Sequence, residues 1–156
     1  MNFLFLCTGN SCRSILSEAL FNAACPPTWH ADSAGSHPTG RVHAQTLAAL
    51  QATGIDIAGL HSKAIADIHT PVDVVITVCA DADAACPAFP GSVLRAHWGL
   101  SDPSIGLPID QVSTHPTAFC LTIARIQLRL QHLFAADFEH LSRDEQQACL
   151  DGIGRL

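Results

Sequence analysis

The sequence predicts a single α/β domain of three layers, a small parallel sheet of about four strands with helices on both faces. Short apolar runs of strand type alternate with longer stretches of helical periodicity. The run VDVVITVC at 72–79 is β-branched and almost continuously apolar, as suits a central parallel strand covered on both faces. No repeat, low-complexity segment or linker interrupts residues 1–156, a length within the usual range of one domain.

Residues 2–6 form the first short strand. From 14 to 25, Ile15, Leu16, Ala19, Leu20 and Ala23 fall on one helical stripe. WHADSAG (29–35) reads as a second strand, and RVHAQTLAALQATG (41–54) as a helix with Gly54 just past its end. HSKAIADIH (61–69) predicts a shorter helix, 72–79 the central strand and SVLRAHW (92–98) a further one. The stretch GLSDPSIGLPIDQVSTHP (99–116) is rich in turn formers. Residues 116–134 give the clearest helix, opened by Pro116, with Phe119, Ile123, Ile126, Leu130 and Leu133 at helical spacing. Residues 137–156 read as a C-terminal helical extension around RDEQQACLDGI.

Hydrophobic residues make up 48% and charged residues 14%, a composition that fills a core and leaves a modest polar shell. The net charge is −6, and one lysine and seven arginines cannot assemble a basic patch for nucleic acid. Any anion must therefore be captured locally. No apolar run approaches the ~18 residues of a membrane-spanning helix. MNFLFL lacks a basic flank and reads as a core strand rather than a secretion signal, so a reducing cytoplasmic location is expected. Seven cysteines, at 7, 12, 25, 79, 86, 120 and 149, are then packing or chemical residues rather than a disulfide framework.

The segment CTGNSCRS (7–14) places a thiol where a strand ends and a helix is about to begin. In an open parallel sheet, ligands collect at this edge. Small residues after Cys7 let successive backbone N–H groups turn inward, and the following helix adds its positive pole. Arg13 supplies a fork of donors matched to a tetrahedral oxyanion. Positive surroundings of this kind favour thiolate over thiol. A thiolate facing an oxyanion can attack its central atom.

CTGNSCRS resembles the phosphate-binding loop of the low-molecular-weight protein tyrosine phosphatases and of the arsenate reductases built on the same fold. The resemblance implies a phosphatase-like fold, Cys7 as nucleophile and Thr8, Gly9, Asn10, Ser11, Cys12 and Arg13 as the anion cradle. It further implies that Asn10 and Ser14 hold the loop and the sulfur. VCADADAACPAFPGSVLRAHWGLSDP (78–103) resembles the redox segment of the thioredoxin-coupled arsenate reductases, including HWG and DP. Phosphatases of this fold carry no such cysteine pair and usually have tyrosines after their Asp-Pro. Here there is no tyrosine, and Ser104 follows Pro103. The similarity spans roughly residues 1–135 and favours an arsenate reductase, with a phosphatase or a non-enzymatic thiol redox sensor as the alternatives.

The resemblance implies that oxidation passes from Cys7 to Cys79 and then to Cys86, with an external dithiol of thioredoxin or glutaredoxin type restoring the pair. Arsenate is the expected substrate, and no cofactor or metal is expected. A zinc site of Cys79, Cys86 and His97 is disfavoured by the six-residue gap between the cysteines. Seven residues span about 10 Å as helix and over ~20 Å extended, whereas a disulfide needs Cα atoms within about 7 Å. A regular element across 80–85 must therefore unwind when the bridge forms.

Asp102 is the expected general acid, by resemblance and by its loop position. Glu18 and Ser33 match the part of the family pattern that supports the loop, at a potassium site found in some reductases. Lys63 stands where that pattern has an acidic residue, so its ammonium is expected to take the cation's role. Asp81 and Asp83 are expected to be solvated, Cys12 to pack or to protect Cys7, and Cys25, Cys120 and Cys149 to be structural. His97 is expected to shape the reductant's face or simply to pack.

Overall fold

The computed structural model describes every residue except 85–88 and 90. Among the described residues, four strands, β1 (Asn2–Cys7), β2 (His30–Gly35), β3 (Val74–Thr77) and β4 (Leu94–His97), form one parallel sheet in the order β2-β1-β3-β4. Among the same residues five α-helices accompany them: α1 (Arg13–Asn22), α2 (Ala44–Ala52), α3 (Ala80–Ala84), α4 (Thr117–Phe134) and α5 (Arg143–Gly154). This is the expected α/β architecture. Phe3–Cys7 and Val74–Thr77 are buried along their whole length, so both faces of the central strands are covered. Phe3, Phe5, Phe21, Trp29 and Phe138 form an aromatic cluster at the core's centre.

Several elements are shorter than the sequence suggests. The first helix ends at Asn22 and the second begins at Ala44. The central strand covers only Val74–Thr77, which leaves Cys79 two residues beyond it, at the start of α3. The helix expected over 61–69 is a single 3₁₀ turn, Ile65–Asp67. Its upstream backbone is committed elsewhere: the Lys63 N–H donates to Asn10 Oδ1, the Gly35 N–H donates to the Lys63 carbonyl, and Ala64 bridges Gly35. Backbone groups bonded across the fold cannot also close helical turns.

Helix α5 covers the β4 edge of the sheet. The Gln147 side chain accepts from the Arg95 N–H (3.4 Å) and donates to the Arg95 carbonyl (2.6 Å), occupying backbone groups that a further strand would otherwise use. Trp98 Nε1 donates to the Leu150 carbonyl, and buried Arg129 donates to the carbonyls of Trp98, Gly99 and Gly154. The C-terminal segment is thus packed into the core through Phe138, Leu150 and Ile153.

From β1 the chain crosses to β2 on one side, and β3 lies on the other. The carboxyl ends of β1 and β3 therefore border the switch point where open α/β sheets bind ligands. Cys7 closes β1, and Cys79 follows β3 at the same edge.

Candidate active site

The segment 8–12 wraps from β1 into α1 with its carbonyls facing outward. Ser36, His37, Thr39 and His43 donate their N–H groups to the carbonyls of Cys7, Thr8, Gly9 and Ser11 in turn. Ser62 Oγ adds a bond to the Gly9 carbonyl and Thr46 Oγ1 one to the Ser11 carbonyl. Among the described residues, the N–H groups of Gly9, Ser11 and Cys12 have no intramolecular acceptor. A loop whose acceptors are tied down behind it while its donors are left available is an anion nest.

Asn10 organises this loop. Fully buried, it sits at φ +43°, a left-handed conformation that asparagine tolerates better than most residues. Its N–H donates to Cys7 Sγ at 3.2 Å. Its side-chain amide donates one hydrogen to Ser14 Oγ (2.9 Å) and the other to Ser33 Oγ (2.8 Å), while Oδ1 accepts from the Lys63 N–H (2.7 Å). Ser14 Oγ lies 2.9 Å from Cys7 Sγ, so its hydroxyl hydrogen can donate to the sulfur whenever Cys7 is a thiolate. Ser33 in turn donates to Glu18 Oε2. The donor direction is consistent throughout and terminates on two groups that can bear negative charge, Cys7 and Glu18.

Lys63 Nζ stands 3.6 Å from Glu18 Oε2, with the two side chains only 9% and 11% exposed. Burial pushes the Glu18 carboxyl up, and the Ser33 hydroxyl and Lys63 ammonium recover only part of that. The residues expected to support the loop are thus brought together. Lys63 reaches Asn10 through its backbone and Glu18 through its ammonium.

Arg13 Nη2 donates to Asp102 Oδ2 at 3.0 Å, and Nη1 to the Leu100 carbonyl. Asp102 Oδ1 also accepts from the Ser104 hydroxyl and N–H. Partial burial raises this carboxyl, but the Ser104 donors and the Arg13 guanidinium outweigh that and hold it below the usual range. The resting Asp102 is therefore an anion paired with the guanidinium that an incoming oxyanion needs.

Cys79 is buried, and its Sγ lies 3.4 Å from Thr8 Oγ1, so the loop's second residue touches the second sulfur. Cys86 lies outside the described residues. Cys7, Cys12, Cys25, Cys79, Cys120 and Cys149 are free thiols. Burial pushes the Cys12 thiol up to about 12, so it stays protonated at neutral pH and is a poor nucleophile. Cys25 donates to the Trp29 carbonyl, whereas Cys120 is exposed and does not pack into the core as a structural cysteine would. Asp83, expected to be merely solvated, accepts a hydrogen bond from Thr77.

No local pattern in the sequence points to Gly35. A Cβ there would lie 2.6 Å from the Thr8 carbonyl and 3.0 Å from Asn10 Cβ, so β2 can approach the loop only without a side chain. Gly35→Ala should displace the loop and lower stability by about 1–3 kcal/mol, as overpacking of a tight contact does. Chemical denaturation checks the stability, and titration with phosphate should show weakened anion binding.

Residues 2–147 match the sequence profile of the low molecular weight phosphotyrosine protein phosphatases. The chain belongs to that family. Within it, "Arsenate reductase 1" of Staphylococcus epidermidis is 42% identical over 101 residues, covering 64% of this chain and 76% of that protein. Among solved structures, the arsenate reductase of Archaeoglobus fulgidus superposes with a TM-score of 0.67 at 26% identity, covering 85% of this chain and 98% of that one. A thioredoxin-dependent arsenate reductase of Corynebacterium glutamicum gives 0.61 at 27% identity, covering 85% of this chain and 59% of that one. For this family member, no described helix is long and apolar enough to cross a membrane.

Proposed function

We propose that this protein reduces arsenate to arsenite, with Cys7 as nucleophile and Cys79 and Cys86 as the thiols that carry the oxidation away. The observation that carries the reading is Cys79 at the β1/β3 edge, its sulfur against Thr8 of the anion loop. Hydrolysis of a phosphoryl-cysteine needs only water, so a buried second thiol at the loop supports reduction instead. The relatives named as arsenate reductases support the same substrate.

Arsenate enters the nest of N–H groups and draws Arg13 away from Asp102. A doubly protonated oxyanion carries one proton on the departing oxygen and a second that Asp102, released from the guanidinium, takes up and passes to that same oxygen. Cys7 sulfur bonds to arsenic, and water leaves. Cys79 thiolate then attacks the Cys7 sulfur. The sulfur–arsenic electron pair passes to arsenic, releasing arsenite and leaving a Cys7–Cys79 disulfide. Cys86 attacks Cys79 sulfur, Cys7 departs as thiolate, and an external dithiol of thioredoxin type accepts the oxidation from Cys79–Cys86. Two thiols thus supply the two electrons.

The test is arsenite formation with thioredoxin, thioredoxin reductase and NADPH, comparing wild type with Cys86→Ser. The variant is expected to lose sustained turnover while still performing the first exchange. A phosphatase would be indifferent to Cys86, and a redox sensor would produce no arsenite in either form. Weak hydrolysis of small aryl phosphates is compatible with all three and decides nothing.

A further inference from the structure

We propose that Thr77, Asp83 and His97 form a latch that stabilises the dithiol form of the Cys79/Cys86 pair and thereby sets its equilibrium with external thiols. This rests on the relay proposed above and adds what controls its last intramolecular step.

The latch joins three elements at the carboxyl edge of the sheet. Thr77 ends β3, His97 ends β4 and Asp83 lies on α3, between Cys79 and Cys86 in sequence. Buried Thr77 has its Oγ1 2.7 Å from Asp83 Oδ1 and 2.8 Å from His97 Nδ1. A carboxylate only accepts, so the single hydroxyl hydrogen goes to Asp83. His97 Nδ1 must then carry a hydrogen and donate to Thr77. The chain His97 Nδ1–H to Thr77 O–H to Asp83 carboxylate has one consistent direction, and chains of this kind reinforce themselves. Gly99 allows the ring its place, since a Cβ there would stand 2.8 Å from His97 Nε2.

The described part of α3, Ala80–Ala84, is little more than one turn, and short helices owe their stability to tertiary packing. Its described contacts to the sheet include buried Ala82 and the Asp83 carboxylate on Thr77, while the Asp83 N–H closes the helix's own turn on the Cys79 carbonyl at 3.1 Å. Closing Cys79 on Cys86 requires their Cα atoms to come within about 7 Å, while α3 carries the chain away from Cys79 by about 1.5 Å per residue. In this proposal the bridge forms by opening that turn, and the latch is lost with it. Any interaction present in the dithiol and absent from the disulfide makes the pair harder to oxidise and easier to reduce.

The experiment is a redox titration of the full chain with glutathione, following Cys79–SH + Cys86–SH + GSSG ⇌ Cys79–S–S–Cys86 + 2 GSH. Alkylation and peptide mapping quantify the 79–86 bridge. Thr77→Val removes the hydroxyl and leaves Asp83, Arg95 and His97 in place. It is expected to shift the constant threefold to tenfold toward the disulfide, about 15–30 mV at 29.6 mV per tenfold. Thr77→Ser restores the wild-type value. Asp83→Ala, on a half-exposed side chain that folding tolerates, also shifts toward the disulfide, although alanine is the better helix former. Exposed Asp81→Ala does not shift that way. Constants for Thr77→Val and Asp83→Ala indistinguishable from wild type, with the bridge present, would overturn the latch alone. A wild type that never forms the 79–86 bridge would overturn the relay and the latch together.

Discussion

We expect Cys7→Ser protein to fold normally and to form arsenite more slowly by about four orders of magnitude or more, the scale of losing a covalent nucleophile. The side chain sits at the buried end of β1, where serine is smaller than cysteine, so the sheet is undisturbed. The loss therefore registers in turnover and not in the denaturation midpoint. Neighbouring substitutions grade the effect. Ser14→Ala removes a hydroxyl 2.9 Å from the sulfur and should cost tenfold to a hundredfold, as hydrogen bonds to charged groups are worth about 1.5–3 kcal/mol. Arg13→Lys keeps the charge but loses the fork, and should cost about a hundredfold or more in kcat/KM for arsenate. Single-turnover arsenite release separates these effects from the later thiol exchanges.

Lys63→Met should lower stability at neutral pH by about 3–5 kcal/mol, the cost of leaving one partner of a buried ion pair alone. The Glu18 carboxyl already has a raised pKa in the folded protein because burial outweighs its partners. Its favourable contribution is therefore present at low pH, where the group is neutral, and is lost as pH rises through the folded pKa. Without Lys63 that pKa rises further. The deficit of the variant is thus largest at neutral pH and shrinks on acidification, and adding Glu18→Gln removes most of it. Urea denaturation at several pH values checks both statements. If the ammonium fills a cation's place beneath Asn10, potassium leaves the wild-type rate unchanged, and marked stimulation would contradict it.

Much of the site is legible in the sequence because covalent neighbours form it. A strand ending at Cys7, small residues and Arg13 opening a helix mark an anion loop at the edge of a parallel sheet, and the distant segments that tie its carbonyls down complete it. Ser33 and Glu18, fifteen residues apart, are implied only by family resemblance, and their contact is a product of β2 lying beside β1 over α1. The Arg13–Asp102 pair spans 89 positions, and no local pattern announces it. The segment 61–69 misleads for the same reason. Its apolar spacing suits a helix, but its backbone is bonded to Asn10 and Gly35.

The sequence by itself determined the parallel α/β layering, the anion loop after Cys7 and the helix that fills 117–134, since these follow from periodicity, turn chemistry and adjacent residues. Tertiary structure alone decided that resting Asp102 neutralises Arg13, that Lys63 pairs with Glu18, that Gly35 admits the loop, and that Asp83 is held between two strand ends. Each is a contact between segments far apart in the chain or on different elements. Such contacts depend on how strands are ordered and how closely layers approach, which local pattern does not encode.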